Sequence, residues 1–383
     1  MRAGTEVIKS SIFGILRRFL PYLKEREELD VAGSPKLSGG KERRLQELPY
    51  LTLGAADLEC IENILRQLLE DKRWRESLQG SFSQITIKAH ELPIDLRRFL
   101  VDFRQNELSA GCIVSGLPVD DNGLGPTPVA YFRGEHVDSK TRREELWLVL
   151  CGSLLGDVFG WATQQGGLIV HDVYPVPGCE DRQIGSSSSS DLWWHTEDAF
   201  HPMRADYVGL LALRNADHAA TTIASVADID IGDAHKSILM EERFLIAADD
   251  SHVAGLQDLG MQPDSHRHVD RTWQSCRPTA VLTGAWESPY LTLDPFYMNV
   301  RPGDFDARRA LDALIDALDA CLRDVVLGPG ELLLIDNFRA VHGRRPFVAR
   351  YDGTDRWLKR INVTCDLRKS RGWRAGPMCR VIN

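Results

Sequence analysis

The sequence predicts a mainly β fold with flanking helices, a sandwich or jelly roll rather than a parallel βαβ sheet. Two observations predict it. From about residue 110 the chain runs through many short stretches rich in Val, Ile, Leu and Trp, each closed by turn residues. Helical spacing is concentrated before residue 110 and afterwards returns in only a few places.

The elements follow in order. Near the N-terminus, Ile12 to Leu20 is apolar but broken by Arg17 and Arg18. It is too short and too charged to span a bilayer, and it reads as an amphipathic helix packed on the protein's own body. Residues 31–45, rich in Gly, Ser and charge, read as a loop. In "TLGAADLECIENILRQLLEDKRW" the residues Leu58, Ile61, Ile64, Leu65, Leu68 and Leu69 recur three and four apart, so a helix is expected, with Asp57 as its N-cap. "LPIDLRRFLVDFRQN" is a second helix and "KTRREELWLVLCGSLLGDVFGW" a third. Strands are expected in "GCIVSGLPV", "GGLIVHDVYPV", "DLWWHTEDAF", "YVGLLALRN", "TTIASVADI", "TAVLTG", "LTLDPFYM", "ELLLIDNFRAVHG" and "RWLKRINVTCDLR", with helices near 234–243 and 305–322. The expected organisation is a helical segment, 1–109, packed on a β core, 110–383.

Composition narrows the function. The net charge of −9 gives no basic face for nucleic acid. The eight cysteines form no CxxC pair and no export signal precedes them, so reduced thiols in a cytoplasmic protein are expected. No membrane or nucleic-acid partner is expected, and homo-oligomerisation is left open.

The chemistry centres on "SSSSSDLWWHTEDAFHP". Residues i and i+2 of a strand share a face, so His195 and Glu197 can meet one cation. The chain has three such His-x-acid pairs, the others being His136/Asp138 and His268/Asp270, both in polar, loop-like surroundings. Only His195 sits in a strand-like stretch. His342, after the apolar run "ELLLID" and a turn, can supply the third ligand of a two-histidine, one-carboxylate set, which leaves positions open on Fe(II). Alternatively it only satisfies a backbone group at a strand end. Arg356, Leu358 and Arg360 share one strand face. Two buried guanidiniums need carboxylates, which a dicarboxylate cosubstrate and an amino acid would supply. Surface arginines on an edge strand are the alternative.

"WHTEDAFHP", "DYVGLLALRN", "DNFRAVHGRRPF" and "YDGTDRWLKR" together resemble the clavaminate-synthase-like branch of the Fe(II)/2-oxoglutarate-dependent oxygenases over residues 110–372. The resemblance implies a double-stranded β-helix (jelly-roll) core with a lid-like insertion at about 226–280. It implies Fe(II) on His195, Glu197 and His342, 2-oxoglutarate as cosubstrate paired with Arg356 and assisted by Thr222 (or its neighbour Thr221), and O2. It places a free L-amino acid among Gln164, Ser187, Glu197, Asp294 and Arg360. The implied reaction is hydroxylation at Cβ or Cγ. Desaturation, a carrier-tethered or modified amino acid, and a non-enzymatic jelly-roll binding protein are the alternatives. Halogenases of this fold lack the ligand carboxylate, and Glu197 leaves no such vacancy. Phe296 stands where arginine hydroxylases of the branch carry a second acid, which favours lysine over arginine unless Asp249 or Asp250 supplies that acid.

Overall fold

A computed structural model describes residues 47–76, 78, 82–130, 139–252 and 276–383. The N-terminal amphipathic helix, the 31–45 loop and the pairs at His136 and His268 lie outside the described residues, as do residues 253–275 of the expected insertion.

The strands are β1 (Tyr50–Thr52), β2 (Gly111–Ser115), β3 (Asp157–Trp161), β4 (Val170–Val173), β5 (Leu192–His195), β6 (Tyr207–Arg214), β7 (Thr221–Ser225) and β8 (Phe244–Ile246). They continue with β9 (Leu282–Gly284), β10 (Pro289–Leu291), β11 (Met298–Val300), β12 (Arg323–Val325), β13 (Leu332–Asp336), β14 (Ala340–Arg344), β15 (Trp357–Thr364) and β16 (Val381–Ile382). A large sheet runs β1-β2-β13-β6-β15-β3-β16, with β4 also on β15, and a smaller one runs β12-β7-β14-β5. β8/β11 and β9/β10 form two-stranded pairs. The fold is therefore mainly β with flanking helices, as the short apolar runs predict.

β6 shows how side-chain alternation makes the layers. All eight of its residues are buried. Val208, Leu210 and Ala212 face inward, where they meet Ile223 and Ala340 of the smaller sheet. Tyr207, Leu211 and Leu213 face outward into a cluster with the helices Ala55–Glu70, Phe82–Ala89, Ile94–Asn106 and Arg142–Leu155. A strand covered on both faces reads as a continuous apolar run, not as alternation. The outer face of the smaller sheet packs through Trp194, Ala224 and Val341 on a third cluster with helices Gly232–Leu239 and Phe305–Asp319. Residues 47–109 share the cluster of the large sheet and belong to one unit with the rest of the described chain.

Three local expectations differ from the structure. Gly54, not Asp57, is the N-cap of the first helix; Asp57 lies three residues inside, where its carboxylate accepts the Gly54 N–H at 2.9 Å. "KTRREELWLVLCGSLLGDVFGW" is a helix only to Leu155, because Gly156 breaks it and Asp157–Trp161 pairs with β15. In "LTLDPFYM" the strand ends at Leu291. Asp294 instead caps a turn, accepting the N–H groups of Phe296 and Tyr297 at 3.2 and 3.1 Å.

Among the described residues no helix is long and apolar enough to cross a membrane, and all eight cysteines are free thiols.

Candidate metal centre and active site

β14 lies between β7 and β5 in the smaller sheet, and there His342 pairs directly with His195. The approach is close: a Cβ on Gly343 would collide with the Leu192 carbonyl oxygen, so only glycine fits beside His342. The imidazole ring centroids of His195 and His342 are 5.1 Å apart. β5 ends at His195, so Glu197 stands in the turn that follows rather than in the strand. It still meets both histidines, its Oε2 lying 3.2 Å from His342 Nε2 and 3.7 Å from His195 Nε2.

Asn337 holds that turn. Its Oδ1 accepts the Glu197 N–H at 2.7 Å, and its Nδ2 donates to the carbonyls of Glu197 and Ala205 at 3.0 and 2.8 Å. The expectations from sequence did not include it. The only signal was a turn pattern at "IDNF", and its partners lie far away in the chain.

The donor set fits a divalent cation. One ligand atom from each of His195, Glu197 and His342 lies within 4.8 Å of the others. His195 Nδ1–H donates to the Trp193 carbonyl at 2.7 Å, which makes Nε2, facing Glu197, the nitrogen that would bind a metal on losing its proton. Burial opposes charge on His195, yet Glu197 and Asp294 outweigh it and hold the imidazole up at about 9. Burial equally opposes charge on Glu197, but Arg360, His195 and His342 keep its carboxyl well below the usual range. The negative field that raises His195 would also attract a metal ion. Two imidazoles and one carboxylate on one side of such an ion are the set that suits Fe(II) with open positions.

The same pocket contains Gln164, Asp249, Ser251, Asp294, Phe296, Thr221, Arg344, Arg356 and Arg360. Arg356 and Arg360 project together with Leu358 from one face of β15 and its N-terminal flank, so they are not edge-strand decoration. Arg356 is buried, and among the described residues no carboxylate pairs with it. Its Nη2 donates to Thr221 Oγ1 at 3.3 Å, while its Nε has no partner. Burial, with Arg344 nearby, pushes its guanidinium down to about 9. A buried cation with spare donors is a receptor for an anion. Thr221, rather than Thr222, touches it. The two residues point to opposite faces of β7, and register with Arg344 of β14 puts Thr221 at the pocket.

Arg360 bridges three groups. Nη1 donates to Glu197 Oε1, and Nη2 meets Gln164 Oε1 at 2.7 Å and His171 Nδ1 at 2.9 Å. His171 Nε2–H donates to the Leu168 carbonyl at 2.9 Å, so its Nδ1 accepts from Arg360. Burial and Arg360 push that imidazole down to about 3, and it stays neutral. Ser187 supports the wall instead of lining the pocket: its Oγ accepts from Arg344 Nη2 at 2.8 Å and donates to the Ile184 carbonyl at 2.8 Å. Asp294 is buried, and its carboxyl is pushed up to about 6 by burial, with Asp249 adding to the rise. Asp249 thus stands in the pocket as a second acid.

Three comparisons bear on this site. Residues 128–362 match the family described as "Taurine catabolism dioxygenase TauD, TfdA family". The chain is 47% identical over 302 residues to an enduracididine beta-hydroxylase of Streptomyces hygroscopicus, a match covering 77% of this chain and 88% of that one. It is 44% identical, with the same shares covered, to an L-ornithine/L-arginine 3-hydroxylase of Catenulispora acidiphila. Among solved structures it is similar to the non-heme iron oxygenase OrfP in complex with Fe, succinate and (3S)-hydroxy-L-Arg. That similarity has a TM-score of 0.81 and 38% identity, and it covers 88% of this chain and all of the other. The family match spans more than half of the sequence and centres on the pocket just described: the chain belongs to the TauD/TfdA dioxygenase family.

Proposed function

We propose that this protein is an Fe(II)/2-oxoglutarate-dependent hydroxylase of a free basic L-amino acid, acting at Cβ or Cγ, on a jelly-roll core. The observation that carries the reading is one pocket that joins a two-histidine, one-carboxylate cluster, a buried arginine without a carboxylate partner among the described residues, and two acids. Residues 110–383 form the oxygenase core in this reading, residues 47–109 pack on it, and 226–280 is an insertion whose described part brings Asp249 and Ser251 to the pocket. The eight free thiols favour a cytoplasmic location.

His195, Glu197 and His342 would hold the iron. Bound there, the metal would supply the oxidising chemistry: 2-oxoglutarate would lose CO2 to give succinate, one oxygen atom of O2 going to succinate and the other to the amino acid. Arg356 would clamp the distal carboxylate of 2-oxoglutarate in a bidentate pair, with Thr221 beside it. Arg360 and Gln164 would receive the head group of the amino acid. Arg360 also restrains Glu197 Oε1, which leaves Oε2 to face the histidines. Asp294 and Asp249 would take the cationic side chain.

The preference for lysine drawn from Phe296 gives way here. Phe296 does line the pocket, but Asp249 reaches it from another segment. Two carboxylates suit the forked donors of a guanidinium better than a single ammonium. The similarity to an L-ornithine/L-arginine 3-hydroxylase points the same way. Asp249→Asn is therefore expected to raise KM for L-arginine by roughly ten- to a hundredfold, the worth of one charge-assisted hydrogen bond. KM for L-lysine should change less. Equal effects on both amino acids would remove Asp249 from the recognition of the guanidinium.

Asp294 gives a pH dependence. It must be ionised to meet a cation, and burial holds it neutral below about 6. KM for the amino acid should rise as pH falls through about 6, while KM for 2-oxoglutarate stays flat, because Arg356 remains charged there. In Asp294→Asn the amino-acid profile should be flat.

Succinate formation tests the function as a whole. Fe(II)-loaded protein is given 2-oxoglutarate, air and each free L-amino acid in turn. Succinate should rise with a guanidino or other basic amino acid, and that amino acid should gain one oxygen, about 16 mass units. A loss of two hydrogens would mean a desaturase. Succinate with no free amino acid would overturn the substrate class.

A further inference from the structure

A buried pair that the proposed reaction does not use ties two walls of the pocket together. His252 is 2% exposed, and its Nε2 lies 2.8 Å from Asp198 Oδ1. Its Nδ1 is 2.6 Å from Thr163 Oγ1, and the rings of Phe200 and Trp161 pack edge-on at 4.9 and 5.5 Å. Asp198 directly follows Glu197. Its other oxygen accepts from Trp161 Nε1 at 2.6 Å, so both carboxylate oxygens are bound. Asp198 also sits at φ 52°, a left-handed conformation that costs a non-glycine residue and persists only where its surroundings enforce it.

On the other wall, His252 ends the short helical turn Asp250–His252, with Asp249 and Ser251 beside it. Ser251 Oγ donates to Asp249 Oδ1 at 2.5 Å and accepts from Gln164 Nε2 at 2.7 Å. Gln164 in turn accepts from Arg360. One continuous set of bonds thus runs from Arg360 through Gln164 and Ser251 to Asp249, and His252 pins its far part to the turn of Glu197. Asp198, Asp249 and Ser251 line the pocket, whereas His252 does not.

We propose that His252 is a positioning residue for the amino-acid substrate: bonded to Asp198 and 2.9 Å from Gln164 Nε2, it fixes Asp249 and Ser251 against Gln164 in the pocket that Asp294 also lines. This rests on reading the pocket as an amino-acid site. A histidine that merely fills a core would cost stability without favouring one substrate over the other. A positioning residue acts selectively, because the 2-oxoglutarate clamp at Arg356 belongs to a different part of the pocket, where Arg356 precedes β15 and stands beside Thr221 and Arg344.

The test compares wild type with His252→Ala, His252→Gln and Thr163→Val. His252→Ala should raise KM for the preferred basic amino acid at least about tenfold, the worth of one lost charge-assisted bond. KM for 2-oxoglutarate should stay within about twofold, and less hydroxylated product should form per succinate, because a misplaced substrate is missed more often. Glutamine can still donate to Asp198, so His252→Gln should recover most of the loss. Thr163→Val removes only the Nδ1 partner; it should shift the amino-acid KM in the same direction by less, and it keeps the test valid if the alanine variant fails to fold. Calorimetric titration of L-arginine into Fe(II)- and 2-oxoglutarate-loaded protein without air gives the same comparison without turnover. An unchanged amino-acid affinity in the variants, or equal losses for both substrates at constant product per succinate, overturns the proposal. A wild type that binds L-arginine but forms no succinate would sink the proposed reaction and leave the binding ratio to decide this inference.

Discussion

Replacing His342 with alanine is expected to strip the protein of iron and of turnover while leaving the fold in place. β14 is hydrogen-bonded on both sides, to β7 and β5, so backbone pairing does not depend on the imidazole. Burial, with the neighbouring positive charge of His195 and Arg360, pushes the His342 imidazole down, which favours the neutral ring that a metal ion needs. Among the described residues its buried Nδ1 has no partner. The ring is therefore weakly committed to the protein and directed at Glu197. Removing an outer partner of a metal ligand costs roughly 10- to 100-fold in affinity or activity, and removing a ligand itself should exceed that. Iron measured after desalting should fall to background in His342→Ala, and succinate formation with it. His201→Ala is the matched control: this histidine is pushed down to about 4 by burial, packs between Trp161 and Trp373, and does not line the pocket. It should keep its iron. A His342→Ala protein with full iron content and full turnover would end the metal assignment.

The convergence of His195, Glu197 and His342 was legible because its signals are short-range. His195 and Glu197 stand two residues apart beside a strand, and His342 follows an apolar, strand-like run and a turn. The shared face of Arg356 and Arg360 follows from the same two-residue period. What stayed hidden depends on partners distant in sequence. Asn337 bonds Glu197 across 140 positions, and His252 reaches Asp198 across 54; the turn pattern at Asn337 does not point to Glu197, and no local pattern pairs His252 with Asp198. Choosing between Thr221 and Thr222 needs the register of β7 against β14, and a one-residue slip exchanges the two. β1, β8 and β12 span only three residues and β16 only two, too short to show any period. Asp249 was visible only as one of two acids in "AADDSHV". Its place in the pocket with Asp294 comes from folding, and with it the argument for a guanidinium substrate.

Arg356→Ala should separate cosubstrate binding from everything else. In the folded protein Arg356 carries charge without a carboxylate partner among the described residues, and burial lowers its guanidinium to about 9. A base whose folded pKa is depressed weighs against the folded state at every pH below that value. Removing the group should therefore leave the melting temperature of the free protein unchanged or raised. A dicarboxylate reverses the sign: once two parallel N–H···O bonds form, the buried charge is compensated and the complex gains stability. Breaking a buried pair of this kind costs about 3–5 kcal/mol, and about 3 kcal/mol corresponds to roughly a hundredfold in affinity. KM for 2-oxoglutarate should accordingly rise by about that factor in Arg356→Ala, with iron content intact and KM for the amino acid little changed. Thermal melts give the check that needs no turnover. 2-Oxoglutarate should raise the melting temperature of the Fe(II)-loaded wild type and fail to raise that of the variant. Arg356→Lys should recover little, because an ammonium supplies a point charge where the carboxylate needs a fork. If 2-oxoglutarate stabilised Arg356→Ala as fully as wild type, the anion would have to be held elsewhere. Arg344 would be the next candidate, since it is the other buried guanidinium in that wall and burial lowers it to about 10.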